Sequence, residues 1–191
     1  MTPEQQVIVN LQKLLHQVRF SDWINNDIFT FRWWVLLLSL TIPWFIWYRL
    51  VDKCRLKEML LYLAITSSIA ILLDEIGSTL TMWVYPVKVI PFLPRLIPAN
   101  YSMVPIIFVL IYQYFPKWKS FIIANIILTF VFSFILEPIL VWMNLYDLIT
   151  WKYIYSVPTY LFAAIILKLF IEKIKLIQLR DSEKAQKSST S

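Results

Sequence analysis

Residues 59–84 read MLLYLAITSSIAILLDEIGSTLTMWV, an apolar run that carries two adjacent acids, Asp74 and Glu75. About twenty helical residues cross the ~30 Å hydrocarbon core of a bilayer, and this run exceeds that length. Its composition predicts a membrane-spanning helix. A carboxylate inside such a helix must pair, take up a proton or face water. The acids therefore predict an enclosed polar site within a helical bundle.

The whole chain has the composition of a membrane protein. Of its 191 residues, 59% are hydrophobic and 16% are charged, whereas soluble domains carry about a quarter charged residues. A single glycine, Gly77, excludes a Gly-rich nucleotide loop. The net charge of +6 fits loops that face an anionic leaflet. The lipid bilayer is thus the expected partner, and we expect no nucleic acid, metal or cofactor.

We predict an all-α membrane protein of about five transmembrane helices. The predicted spans are residues 31–48, 59–84, 101–115, 121–143 and 153–171. They form a bundle over residues 28–175. An amphipathic segment, residues 1–27, precedes the bundle, and a polar tail, residues 176–191, follows it. We expect the tail to be disordered and cytoplasmic, because it is rich in charged and small polar residues.

The amphipathic segment carries Val7, Leu11, Leu14 and Val18 at helical spacing. This pattern predicts a helix that lies on the membrane interface before the first span. His16, the only histidine, belongs to this helix. We interpret it as a solvated surface residue, since no other metal-binding side chain is near it in sequence.

Basic residues predict the orientation of the bundle. Lys and Arg are more frequent after the first, third and fifth spans than in the other flanking segments. Because cytoplasmic loops carry the excess of basic residues, the N-terminus is predicted outside and the C-terminus in the cytoplasm.

The loop between the second and third spans is both apolar and rich in proline. Residues 85–101 read YPVKVIPFLPRLIPANY. Proline at this density prevents a regular helix. Two interpretations remain open: the loop folds back over or into the bundle, or its side chains rest in the headgroup region.

Acids from two spans are predicted at the same depth. Asp74 and Glu137 each lie about fifteen residues from the cytoplasmic start of their span, or roughly 23 Å at 1.5 Å per residue. Arg32 opens the first span on the same side. Glu75 points about 100° away from Asp74, so that both acids face the interior only across a wide polar sector.

Polar and small residues accompany these acids. Ser67, Ser78 and Thr81 share a helical face with Asp74. Asn125, Thr129, Ser133 and Glu137 follow one another at intervals of four. The absent side chain of Gly77 is expected to let a neighbouring helix approach closely. Pro138 is expected to kink its span and to disfavour helix at Glu137. The predicted binding or proton-relay residues are Asp74, Glu75, Glu137, Arg32, Ser78, Ser133 and Asn125.

Several segments together resemble a family of small multi-pass membrane proteins from spore-forming Firmicutes. They are DEIGSTLTMWVYP, LPRLIPANYSMVP, IYQYFPKWK, FILEPILVW and WKYIYSVPTY. That family has no established activity, so the resemblance implies a bacterial plasma-membrane location and no mechanism. The segment ILEP, residues 135–138, is also similar to the acid-before-proline motifs of heterodimeric-type lycopene cyclases.

Three functions remain open at this level. The favoured one is a protein that binds or transports a proton, a cation or a small ligand, with a homodimer supplying any missing helices. An enzyme that uses acid/base carboxylates on a lipid or isoprenoid is the second. The third is a structural or sensory subunit that needs an unidentified membrane partner.

Overall fold

The computed structural model describes residues 1–92 and 96–189, and over residues 183–189 it describes the backbone alone. The prediction of an all-α fold is confirmed. The α-helices are α1 (Pro3–Asp22), α2 (Phe31–Leu50), α3 (Leu56–Thr79), α4 (Val104–Tyr114), α5 (Trp118–Val131), α6 (Glu137–Trp142) and α7 (Tyr153–Ser189). Strands β1 (Trp83–Val84) and β2 (Asp147–Leu148) form one short antiparallel pair. Five-residue π-helical turns occupy Trp23–Asp27, Ala99–Met103 and Phe132–Leu136.

Within the described residues, four helical segments are long and apolar enough to cross a membrane. They are Phe31–Leu50, Lys53–Thr79, Trp118–Trp142 and Tyr153–Ser182. The remaining predicted span, residues 101–115, corresponds to the eleven residues of α4 and the π-helical turn before them. The count of five spans therefore stays a prediction.

Helix α4 lies in the centre of the larger apolar core. Ile106, Phe108 and Val109 are at most 3% exposed. They pack with side chains from α3, α5 and α7, such as Met59 and Phe121. A short, apolar helix is stable here because its neighbours, rather than lipid, cover it.

The proline-rich loop folds over one end of the bundle. Val87, Val89 and Leu96 are buried and pack against Leu36 and Leu145. This arrangement agrees with the first of the two interpretations of the loop. Residues 93–95 lie outside the described residues.

The two ends of the bundle differ in character. At the long-loop end, the segments 80–92 and 143–152 meet through the β1–β2 pair. At the basic end, Glu58 of α3 accepts hydrogen bonds from Arg55, from Tyr112 of α4 and from Lys175 of α7. These contacts fasten three helices together.

Helix α1 extends from the long-loop end, and none of its residues is buried. Val7, Leu11 and Val18 are more than half exposed, as the predicted interfacial helix requires. His16 is also exposed and stacks on Phe92, with ring centroids 4.8 Å apart.

The polar tail differs from its prediction. Helix α7 continues through Ser189, so the segment expected to be disordered is helical that far. Residues 190–191 lie outside the described residues. The helix continues because no proline or glycine follows Pro158 to end it.

Candidate functional site

A cavity of about 200 Å³ lies at the long-loop end of the bundle, and both Asp74 and Glu137 line it. Asp74 comes from α3 and is 6% exposed, whereas Glu137 opens α6 and is 7% exposed. Aliphatic and aromatic side chains form most of the remaining wall. None of the described residues that line the cavity is Lys, Arg or His. The acids thus converge on a space without an opposing positive side chain in its described wall.

Among the described residues, the hydrogen-bond donors to Asp74 are all neutral. Trp83 Nε1 and Tyr85 OH donate to Oδ1, at 2.9 and 2.7 Å. Asn100 Nδ2 and the Leu96 amide, the latter at 3.5 Å, donate to Oδ2. Neutral donors of this kind stabilise a buried carboxylate. Asp74 is therefore a well-anchored acid whose lone pairs are largely occupied.

Among the described residues, Glu137 has fewer hydrogen-bond partners than Asp74. Ser156 Oγ donates to Oε2 at 3.1 Å, and Tyr160 OH donates to Oε1 at 3.2 Å. Trp151 Nε1 donates to Ser156 Oγ at 2.9 Å and so fixes the direction of that hydroxyl. Because a carboxylate offers about four acceptor positions, Glu137 retains capacity for a further partner.

The β1–β2 pair places an aromatic cluster between the two acids. Trp83 lies 5.3 Å from Trp151, and Tyr85 stacks on Tyr146 at 5.5 Å between ring centroids. Burial, followed by the nearby charge of Asp74 or Glu137, raises the pKa of Tyr85 and of Tyr146 above the usual range. Both phenols therefore stay protonated at neutral pH.

Gly77 differs from its predicted role. A Cβ at this position would overlap the indole ring of Trp83. The absent side chain therefore makes room for an aromatic ring from the following turn, and not for a neighbouring helix. Helix α3 ends at Thr79, and Thr81 has φ 55°, so the chain reverses here and carries Trp83 back onto α3.

Pro138 does not prevent helical geometry at Glu137, contrary to that part of the prediction, whereas the predicted kink stays a prediction. Glu137 has φ −59° and ψ −47°, which is ordinary α-helical geometry. The segment Trp118–Trp142 remains helical, with its π-helical turn, Phe132–Leu136, directly before Glu137. A π-helical turn accommodates the backbone that the proline ring would otherwise displace.

The other predicted site residues do not line this cavity. Glu75 is exposed, since one residue turns the helix by about 100° away from the buried Asp74. Arg32 is half-buried near Asp27, and Ser78 lines a separate cavity. Asn125 and Ser133 are fully buried on the helical segment that leads to Glu137. Only two of the seven predicted residues therefore meet in the cavity.

The separate cavity, of about 380 Å³, lies between α1 and the proline-rich loop. It is lined by charged residues of both signs, namely Arg19, Asp22, Asp27 and Lys88, together with Ser78 and Tyr85 among others. Tyr85 lines both cavities, so its ring is part of the wall between them.

Sequence reasoning missed most of the partners of the acids. Trp83 and Trp151 resemble interfacial tryptophans in the sequence, and Asn100 and Ser156 follow no periodic pattern. Tyr160 lies near the start of the last predicted span, residues 153–171, which is the end of the bundle where Glu137 is predicted. No group of three His, Cys, Asp or Glu side chains within the described residues is placed to hold a metal.

Comparison with known proteins finds no matching family model, no matching curated protein and no matching solved structure. The resemblance to the Firmicutes membrane family therefore stays a prediction.

Proposed function

We propose that this chain is a membrane-embedded protein that binds a small organic cation, or a proton in its place, between Asp74 and Glu137. One observation carries the proposal: two buried acids open into a single cavity whose described wall contains no basic side chain. Two buried carboxylates near each other are costly in a low-dielectric environment unless a positive charge or a proton accompanies them. Such a site favours a positively charged ligand or protonation.

The wall of the cavity narrows the class of ligand. Seven aromatic residues line it, namely Trp83, Tyr85, Phe108, Phe132, Tyr146, Trp151 and Tyr160. Aromatic rings attract organic cations through their π faces, and alkylated ammonium groups are the usual ligands of such cages. The volume of about 200 Å³ is below the roughly 300–1,000 Å³ of sites for drug-sized ligands. A short alkylammonium ion suits both the walls and the size.

Binding is tested with choline and its neutral isostere 3,3-dimethylbutan-1-ol, using the purified full chain in detergent and calorimetry. We expect choline to bind more tightly than the alcohol, because only choline carries the charge. Glu137→Gln should weaken choline binding and leave the alcohol unaffected. Glu75→Gln is the matched control, since Glu75 is exposed outside the cavity. Equal binding of the two ligands, or an equal effect of both variants, would contradict the proposal.

The proposal includes the orientation of the chain in the membrane and the membrane in which it lies. The excess of basic residues in alternate loops supports an N-terminus outside and a C-terminus in the cytoplasm, and the family resemblance supports a bacterial plasma membrane. Cys54 is the only cysteine in the sequence, and it is exposed. In intact cells, a membrane-impermeant maleimide should leave Cys54 unlabelled until the cells are permeabilised. Labelling of intact cells would reverse the proposed orientation.

An enzyme is the second candidate, and the apolar wall around Glu137 favours it. A protonated carboxyl in such a cavity can protonate an alkene, and the second carboxylate can stabilise the resulting cation. Incubation of the protein with polyprenyl lipids, followed by mass spectrometry or chromatography for isomers, tests this activity. The enzyme is supported if an isomer appears with the natural chain and not with Glu137→Gln.

A further inference from the structure

The buried face of α5 and of the π-helical turn after it is polar. Asn125, Thr129 and Ser133 follow one another every four residues, and each is 0% exposed. The next residue at this interval is Glu137, which lines the cavity. We call Asn125, Thr129 and Ser133 the polar line. A face with no exposed surface would ordinarily be apolar, so the polar line needs an explanation.

Two oxygens of the polar line have no hydrogen-bond partner among the described residues. They are Asn125 Oδ1 and Ser133 Oγ. The other groups are bonded within their own helix: Asn125 Nδ2 donates to the Phe121 carbonyl at 2.8 Å, and Thr129 Oγ1 donates to the Ile126 carbonyl at 2.9 Å. A buried polar atom without a partner costs roughly 1–3 kcal/mol. Internal water is the usual partner of such atoms.

The spacing of the polar line suits single water molecules between successive side chains. Four helical residues rise by about 6 Å. This is too far for a direct hydrogen bond of about 2.8 Å, but it matches two such bonds through one water molecule. Thr129 Oγ1 keeps acceptor capacity midway between the two orphaned oxygens. Polar groups therefore recur at this interval from Asn125 to Glu137.

We propose that the polar line holds a file of water that carries protons between Glu137 and the basic end of the bundle. This inference rests on the proposed function, because it explains how Glu137 exchanges its proton for a cationic ligand. The Glu137 carboxyl passes its proton to the adjacent water, and each water in turn passes a proton to the next. Glu137 remains as a carboxylate that pairs with the cation in the cavity, and the reverse transfer restores the acid when the cation leaves.

The basic end of the polar line is closed by an aromatic ring. Phe121 lies one helical turn beyond Asn125 and is 0% exposed. The buried ammonium of Lys168 lies 4.3 Å from the centre of this ring and 3.9 Å from Glu172 Oε1. The side chain of Glu172 is 37% exposed, so it offers a proton acceptor near the surface. Proton transfer past Phe121 is thus the expected slow step.

The experiment measures proton flux and ligand binding on the same variants. Proteoliposomes contain a pH-sensitive dye, and a potassium gradient with valinomycin drives protons inward. Ser133→Ala, Asn125→Leu and Thr129→Val each remove one link, so each should slow dye acidification roughly tenfold. Choline affinity, measured by calorimetry, should stay within about twofold of the natural chain, because these residues do not line the cavity.

Ser102→Ala is the matched control. Ser102 is also 0% exposed, and its Oγ also lacks a partner among the described residues, but it lies in the π-helical turn Ala99–Met103. It should not change the flux. Phe121→Ala should raise the flux, since it removes the ring that closes the polar line. This variant distinguishes a conduction defect from poor folding, because misfolding would not increase a valinomycin-dependent flux that Glu137→Gln abolishes.

The outcomes separate this inference from the proposed function. If the natural chain conducts no protons, or if the three variants conduct as well as Ser102→Ala, the water file is refuted even where choline binds. If the flux depends on the polar line but choline fails to bind, the proposed ligand is wrong and the proton path stands. If the three variants lose flux and choline binding together, the polar line serves packing alone.

Discussion

The indole ring of Trp83 lies directly on Gly77, and its Nε1 donates a hydrogen bond to Asp74 one helical turn earlier. The only glycine of the chain thus determines how the acid is held. Without a side chain at residue 77, the indole reaches the surface of α3, and with it the donor reaches the carboxylate.

Gly77→Ala is expected to destabilise the protein by about 1–3 kcal/mol, the usual cost of overpacking a filled site. The sign of the change is diagnostic, because Gly→Ala inside an unobstructed helix normally stabilises by roughly 0.5–1 kcal/mol. Thermal unfolding in detergent, followed by tryptophan fluorescence, measures the effect. The double variant with Trp83→Leu should recover part of the loss, since the smaller side chain relieves the overlap. A stabilising Gly77→Ala would contradict the contact.

The two acids should respond differently to amide substitution. In Asp74→Asn, the new amide N–H group meets donors that already point at the carboxylate, from Trp83, Tyr85, Asn100 and the Leu96 backbone. We expect a loss of roughly 2–4 kcal/mol in the free energy of unfolding, because at least one buried donor loses its acceptor.

Glu137→Gln should cost less, by at least about 1 kcal/mol, since among the described residues Ser156 and Tyr160 alone donate to this carboxylate and the amide oxygen can still accept from one of them. Chemical denaturation of both variants under the same conditions compares them. Equal losses in the free energy of unfolding would mean that the number of hydrogen-bond donors around each carboxylate does not determine its contribution to stability. This difference also makes Glu137 the better substitution for functional tests.

Part of this site was predictable from the sequence, and the reasons are physical. Helical rise fixes depth, so residue counting alone placed Asp74 and Glu137 at one level. Helical rotation fixes direction only approximately, and the 100° step from Asp74 to Glu75 separated a buried acid from an exposed one. Strands of two residues have no periodicity that a sequence can reveal. The β1–β2 pair, and with it the placement of Trp83, could therefore not be predicted from the sequence.

The helices, like the site, were predictable in part. Apolar runs predicted the segments that contain α2, α3, α5 and α7, because burial in lipid or protein selects them by composition. The irregular π-helical turns were not predictable, since they depend on how a helix meets its neighbours. The turn Phe132–Leu136 is an example: the sequence predicted a kink at Pro138, whereas the structure has a π-helical turn that ends directly before Glu137.

The contact between the π-helical turn Trp23–Asp27 and the proline-rich loop is expected to weaken as the pH rises. Asp27 Oδ2 accepts a hydrogen bond of 3.4 Å from the Lys88 amide. Burial is the largest influence on the Asp27 carboxyl and raises its pKa. Asp22 adds to this rise, whereas the Lys88 amide and the positive charges of Arg32 and Lys88 oppose it. Because the folded form holds its proton more tightly than the unfolded form, the free energy of opening falls as pH increases.

The decrease begins near the ordinary Asp pKa of about 4 and levels off above the raised value. Hydrogen exchange of residues 20–30, corrected for the intrinsic pH dependence of exchange, measures the opening. Asp27→Asn should abolish the dependence, and Asp22→Asn, the control, should largely preserve it. An opening free energy that increases over this pH range would contradict the assignment to Asp27.

Glu58 should contribute more to stability than any one of its basic partners. Its side chain is 15% exposed and accepts hydrogen bonds from Arg55 and Lys175, at 2.9 and 3.0 Å, and also from Tyr112. Lys175 is 44% exposed, so solvent screens its share of the interaction. Lys175→Ala should therefore cost about 0–1 kcal/mol, as surface ion pairs do. Glu58→Gln removes the charge that all three donors share, and it should cost roughly 1–3 kcal/mol. Thermal unfolding in detergent at low and high salt compares the two variants. If Lys175→Ala costs as much as Glu58→Gln, the single ion pair between α3 and α7, rather than the shared carboxylate, accounts for the stability at this end.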